Sequence, residues 1–188
     1  YNQGIENFRV KNYQEALNNF NQAISLKADF AKAFFNRGSV KVELKMLQEA
    51  VADFDQALIL DGTLINAYYQ RGRVKQNTGD NQGAMQDYTA GIDKGMKDAR
   101  AYYYRGMIKF QTEDYQGAVE DYTSAIGIDG NYAIAYNDRG SAYRKLEKFD
   151  EAIADYKQAT RIDSKLEFAY NNLGSVLRKK EKYDEAIE

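Results

Sequence analysis

Residues 133–166 read AIAYNDRGSAYRKLEKFDEAIADYKQATRIDSKL, and this stretch decides the fold. Its first half places apolar residues at helical spacing, namely Ala135, Tyr136, Ala142 and Tyr143. Its second half does the same with Ala152, Ile153, Tyr156, Ala159 and Ile162. Residues 146–148, between the two runs, predict a short turn. The stretch therefore predicts a pair of helices that cannot bury its apolar face without neighbours.

The same pattern repeats along the whole chain. Glycines recur every 34 residues without insertion or deletion, at Gly4, Gly38, Gly72, Gly106, Gly140 and Gly174. Sixteen residues after the first five glycines stands an aromatic residue: Phe20, Phe54, Tyr88, Tyr122 and Tyr156. Small residues let two helix backbones approach closely, and a large ring fills the space beside them. The period predicts stacked copies of one helix–turn–helix unit.

The composition narrows the classes of function. The chain has 188 residues and a net charge of −2, with no Cys, His or Pro. It therefore lacks a thiol nucleophile, an imidazole base and the usual zinc ligands, and we expect no catalytic residues, no metal site and no cofactor. Near-zero charge argues against nucleic-acid binding, and no apolar run is long enough for membrane insertion. Localisation stays unknown; a soluble, cytoplasmic protein is the default expectation.

The repeat resembles the tetratricopeptide repeat (TPR) family, most closely between Ala135 and Asp163. The resemblance covers essentially the whole chain and implies an all-α, right-handed superhelical solenoid of antiparallel helix pairs. The sequence divides into one array with four whole repeats and a partial repeat at each end: 1–30, 31–64, 65–98, 99–132, 133–166 and 167–188. The last of these is expected to stop early in its second helix.

One feature departs from the family pattern, and one repeat departs from the others in this chain. The family often has proline between repeats, whereas this chain has Ala28, Gly62, Met96, Gly130 and Ser164. Two explanations of the missing prolines stay open: looser joints between the repeats, or drift in composition without structural meaning. In repeat 65–98 the second helix carries Gly91 and ends near Gly95. Because glycine weakens a helix interior, we predict a flexible point near 91–97; the alternative is a contact that requires close approach.

Arginine and aspartate occur as matched columns. Arg37, Arg71, Arg105 and Arg139 each precede an Asp by sixteen residues, and in the first repeat both positions are uncharged. We predict a bridge between the two helices of each repeat. If the bridge is partly buried, removal of one partner is expected to destabilise the chain by about 2–4 kcal/mol.

The family resemblance implies that a partner peptide or helix binds the concave face, which the first helix of each repeat lines. The candidate binding residues on that face are Phe35, Tyr69, Arg73, Tyr103, Tyr104, Met107, Phe110, Arg144 and Arg178. Aromatic residues often dominate binding energy, and basic groups recognise carboxylates. Half-buried packing aromatics and a solvated basic face are the alternatives. The Lys and Asn pattern by which chaperone co-factors of this family grip a peptide carboxylate is absent.

The sequence thus predicts a non-catalytic protein–protein interaction module. Two alternatives stay open. One is a structural scaffold that self-associates through the open ends of the array. The other is the helical arm of a larger enzyme, which presents substrates to a catalytic domain. Fold alone does not decide among them.

Overall fold

The structure is a computed structural model that describes the backbone of residues 1–187 and the side chains of residues 1–181. The described residues form eleven α-helices and no strand: α1 Asn2–Arg9, α2 Tyr13–Leu26, α3 Ala31–Glu43, α4 Leu47–Leu60, α5 Ile65–Asn77, α6 Asn81–Asp93, α7 Ala99–Gln111, α8 Tyr115–Ile128, α9 Ala133–Lys145, α10 Phe149–Ile162 and α11 Glu167–Ile187. The predicted all-α fold of paired helices is confirmed.

The chain divides into two compact bodies, Tyr1–Met96 and Lys97–Glu188. In the N-terminal body, α3 packs on α4 and α5 packs on α6; in the C-terminal body, α7 packs on α8 and α9 packs on α10. Each of these pairs corresponds to one predicted 34-residue repeat. That all the repeats form one continuous array over residues 1–188 stays a prediction.

The glycine and aromatic columns meet inside each repeat. A Cβ added at Gly38 would lie 2.8 Å from Cε1 of Phe54, and one added at Gly106 would lie 2.9 Å from Cε1 of Tyr122. The aromatic rings opposite the glycines are at most 1 % exposed. Glycine is therefore required at these points because the ring occupies the space that a side chain would need.

The turn within each repeat has a left-handed residue at its centre. Its φ angle is 62° at Lys11, 63° at Lys45, 88° at Gly79, 65° at Glu113 and 60° at Glu147. At each turn the left-handed residue and its successor bond back to the preceding helix; the Asp114 amide, for example, donates to Lys109 O at 2.9 Å. This is the Schellman ending, which normally uses glycine because other residues lose about 1 kcal/mol there.

The end of α6 explains the unusual glycines of repeat 65–98. Gly95 has a φ of 90°, and the Met96 amide donates to Gly91 O at 3.0 Å. A Cβ on Gly91 would lie 2.8 Å from Cε of Met96, which is buried against it. Gly91 therefore permits a close local contact, which supports the alternative interpretation from the sequence. The flexible point near 91–97 stays a prediction.

The Arg–Asp bridges form as the sequence predicts. Arg37 donates from Nε and Nη2 to the two carboxylate oxygens of Asp53, at 2.8 and 2.6 Å. Equivalent bridges join Arg71 to Asp87, Arg105 to Asp121 and Arg139 to Asp155. The four aspartates are 3–6 % exposed, so the bridges belong to the partly buried class.

Each bridge also has partners that the sequence analysis did not identify. Lys41, Lys75 and Lys109 place Nζ 2.9–3.0 Å from the same carboxylates. Nη1 of several arginines reaches the second helix of the preceding repeat: Arg37 bonds Asn21, Arg71 bonds Asp55 and Arg139 bonds Thr123. The guanidinium therefore links three helices, which holds both the repeat and its neighbour in register.

The partial repeat 167–188 differs from the prediction. We expected a turn and the beginning of a second helix, but α11 continues from Glu167 to Ile187. In the complete repeats the turn is held by a second helix of 13 or 14 residues that packs back on the first. Only residues 182–187 follow the corresponding position here, and so short a segment is marginal as a separate helix. Residue 188 lies outside the described residues.

Candidate partner-binding surface

The C-terminal body has a cleft of about 340 Å³ on the side of its first helices. We call it the α7–α9 cleft. The residues that line it come from α7, α8 and α9 and comprise Met107, Phe110, Gln111, Tyr122, Asp138, Ser141, Arg144 and Lys145. Three of them, Met107, Phe110 and Arg144, were predicted from the sequence as binding residues. In the cleft the first helices α7 and α9 present the same three register positions, one, four and five residues after the repeat glycine.

The apolar part of the cleft comes from α7. Met107 and Phe110 are half-buried and pack against the core of the C-terminal body. The Phe110 ring meets Tyr115 edge-on, with the ring centroids 5.3 Å apart. Tyr122, which is 1 % exposed, lies beneath. These side chains offer an apolar surface whose rings are already held in place, so a ligand would order few of them.

A fixed acceptor, Asp138, forms the polar wall of the cleft. Its carboxylate accepts hydrogen bonds from the hydroxyl of Tyr103 and from Nδ2 of Asn137, both at 2.9 Å. Burial raises the pKa of Asp138, and the two hydrogen bonds lower it by less. Burial and the nearby Asp138 charge also raise the pKa of Tyr103. Tyr103 therefore stays protonated and holds the carboxylate in one orientation.

This hydrogen-bond network continues to α11. Nδ2 of Asn172 donates to Oδ1 of Asn137 at 2.9 Å, so side chains of α7, α9 and α11 are linked in series. Each link between first helices joins residues 35 apart, as does the bond from Asn36 to Tyr1 in the N-terminal body. The 35-residue spacing of these polar side chains is present in the sequence and is the signal from which the network could have been predicted.

Arg144 supplies positive charge at the edge of the cleft. It is half-buried, and among the described residues it makes no hydrogen bond and no ion pair. The basic residues near Arg144 and on α11 lie differently. Nζ of Lys145 lies 5.7 Å from the Tyr115 ring centroid and Nζ of Lys179 lies 5.3 Å from that of Phe149, on second helices in both cases. Arg178 is exposed.

Several predicted binding residues are packing residues. Tyr69 and Tyr103 are 6 % and 8 % exposed, and their rings lie 6.3 and 5.7 Å from Tyr88 and Tyr122. Phe35 packs on Phe54 with the ring centroids 5.9 Å apart. Nη1 of Arg73 donates to the Tyr69 hydroxyl at 3.1 Å. Tyr104 is half-buried, with its ring 5.3 Å from that of Tyr103.

The part of the chain with described side chains contains no cluster of three or more acidic or other ligating residues fit to hold a metal ion. Within the same part, every helix is too short or too polar to span a membrane.

Comparison with known proteins agrees with the repeat. A family model described as tetratricopeptide repeat matches residues 1–64 and 69–133, and a second, described as TPR repeat, matches residues 140–180. No curated protein matches the sequence significantly.

Solved structures of low sequence identity share the fold. A crystal structure of MamA is similar with a TM-score of 0.80 and 22% identity, covering 86% of this chain and 95% of that one. YrrB, described as a TPR protein with an unusual peptide-binding site, gives a TM-score of 0.80 at 24% identity, covering 86% and 84%. The C-terminal part of a TPR repeat-containing protein from Cytophaga hutchinsonii gives 0.79 at 17% identity, covering 93% and 69%.

Proposed function

This chain belongs to the tetratricopeptide repeat family, and we propose that it is a non-catalytic interaction module that binds a partner peptide in the α7–α9 cleft. The single observation that carries the proposal is the cleft itself, where a preformed apolar surface adjoins a fixed acceptor and a cation without a hydrogen-bonded partner among the described residues. Small sites of this kind bind ligands through apolar contact and use a few polar groups for orientation.

The distribution of rigid and available groups supports peptide binding. Met107 and Phe110 give an apolar contact surface, while the buried Tyr103 holds Asp138 in place. A preformed site loses less entropy on binding than a mobile one does. The similarity to YrrB, a TPR protein described as having a peptide-binding site, favours the same class of ligand.

The test is selection of peptides from a random display library against the wild-type chain and against Phe110→Ser. Phe168→Ser is the matched control, because Phe168 is an exposed phenylalanine on α11, away from the residues that line the cleft. All three proteins are first checked for equal helicity. We expect enrichment with wild type and the control and its loss with Phe110→Ser. Equal enrichment with all three would place the site elsewhere.

A self-associating scaffold is the second candidate, and one observation favours it. Helix α11 carries three large apolar side chains, Phe168, Tyr170 and Leu177, each 45–48 % exposed. Tyr170 and Leu177 stand seven residues apart and therefore share one side of the helix, whereas Phe168 lies on the opposite side. Neighbouring exposed apolar groups are typical of contact surfaces. Light scattering over a range of protein concentrations tests this candidate, because a mass that rises with concentration and falls for Leu177→Ser would support self-association.

A further inference from the structure

We propose that the α7–α9 cleft selects an acidic peptide, in which a large apolar residue and an Asp or Glu stand about three positions apart. The inference rests on the proposed function and adds the chemistry of the ligand. Its basis is the charge on the two sides of the cleft, where Asp138 already has hydrogen-bond donors and Arg144 has no acceptor among the described residues.

Asp138 and Arg144, two of the three charged residues that line the cleft, are not equivalent. Each carboxylate oxygen of Asp138 already accepts a hydrogen bond from the protein itself, and burial favours its neutral form. A basic ligand would have to compete with Tyr103 and Asn137 for those oxygens. The Arg144 guanidinium is half-buried and has its donors available. Arginine pairs best with a planar carboxylate, which can accept two of its hydrogens at once.

The register of the first helices sets the spacing of the ligand groups. Phe110, Arg144 and Arg178 all stand four residues after a repeat glycine, on α7, α9 and α11. Packed helices lie about 10 Å apart, and an extended peptide advances about 3.3 Å a residue. One step between helices therefore corresponds to about three residues of peptide. An apolar side chain on Met107 and Phe110 would then stand about three positions from a carboxylate at Arg144, and a second acidic residue would reach the exposed Arg178.

The experiment selects peptides from a random decapeptide display library against the wild-type chain, Arg144→Gln and Arg144→Glu. Arg161→Glu is the matched control, because Arg161 is an exposed arginine on the second helix α10. Wild type and the control are expected to enrich peptides with Asp or Glu about three positions from a large apolar residue. Arg144→Gln should lose the acidic preference, and Arg144→Glu should replace it with a basic one.

Affinity measurements on one enriched peptide then test the pairing. Replacement of its acidic residue by Gln or Asn should weaken binding to wild type by about tenfold or more, because a charge-assisted hydrogen bond is lost, and should leave binding to Arg144→Gln almost unchanged. Enriched peptides without an acidic preference, or with a basic one, would overturn the inference and leave the proposed function standing. Absence of any enrichment would overturn the proposed function as well. A concentration-dependent mass that Arg144→Glu abolishes would identify a second copy of the chain as the occupant and would also overturn the inference.

Discussion

Replacement of Asp53 by asparagine is expected to destabilise the chain strongly with almost no change of shape. The Asp53 carboxylate accepts two hydrogen bonds from Arg37, at 2.8 and 2.6 Å, and lies 2.9 Å from Nζ of Lys41. The carboxylate is 5 % exposed, and the cationic side chains are 18 % and 12 % exposed. Asparagine keeps the volume but leaves Arg37 without its counter-charge and Lys41 with only the exposed Glu49, whose carboxylate lies 3.7 Å from Nζ.

The magnitude follows from this burial. Removal of one partner of a buried ion pair destabilises a protein by about 3–5 kcal/mol, whereas exposed pairs contribute about 0–1 kcal/mol. Because the two cations keep some contact with water, we expect about 2–4 kcal/mol here, near the lower end of the buried range. For a chain of this size that lowers the melting temperature by about 5–15 °C.

The assay is thermal unfolding followed by circular dichroism, and the chain supplies its own control. Asp55 lies on the same helix, pairs with Arg71 and is 48 % exposed, so Asp55→Asn should change stability by less than about 1 kcal/mol. A double-mutant cycle with Arg37→Ala separates the pair from other contacts of Arg37 and should show clear coupling. Equal melting temperatures for Asp53→Asn and Asp55→Asn, or no coupling in the cycle, would refute the reasoning.

Three further predictions concern the packing of the repeat, its turns and the carboxyl group of the cleft. Gly106→Ala on α7 should lose about 1–3 kcal/mol in urea unfolding, because the new Cβ would lie 2.9 Å from Tyr122. Gly127→Ala on α8, where the space around the glycine is open, should gain about 0.5–1 kcal/mol. Equal effects of the two substitutions would contradict the packing account. Glu113→Gly should raise stability by about 0.5–1 kcal/mol, because the position has a φ of 65°, and a lower melting temperature would contradict it. Burial raises the pKa of Asp138 above its ordinary 3.8, so the folded chain binds the Asp138 carboxyl proton more tightly than the unfolded chain does. The stability that this proton contributes is fully present below pH 3.8 and is lost as the pH rises through the raised pKa of the folded state. Asp138→Asn should make that decline shallower in urea titrations above pH 3.8, and an unchanged slope would show that the carboxyl titrates normally.

The fold was predictable because the repeat imposes the same small and large residues at every junction. One 34-residue period indicated both helices, their turn and the contact of each glycine with its ring. The Arg–Asp bridges were predictable because both partners change together in the first repeat, where Gln3 and Asn19 replace them.

The details of the surface were less predictable, since side chains on a first helix alternate between core and groove over a few residues. Tyr103 and Tyr104 are adjacent and aromatic, yet Tyr103 is buried and holds Asp138, whereas Tyr104 is half-buried. The sequence pattern does not distinguish them, because burial depends on the neighbouring repeat. For the same reason Arg144 and Lys145 differ although both line the cleft: Arg144 is half-buried, whereas Lys145 is exposed and lies over the Tyr115 ring.

The most direct test of the central claim is a nuclear magnetic resonance titration of the methionine methyl groups. The chain has four methionines, and only Met107 lines the cleft; Met46, Met85 and Met96 lie in the N-terminal body. With a peptide enriched by display selection, we predict a saturable shift of the Met107 methyl signal while the other three stay unchanged. A saturable shift of the other methyl groups, with Met107 unmoved, would contradict the assignment of the binding site.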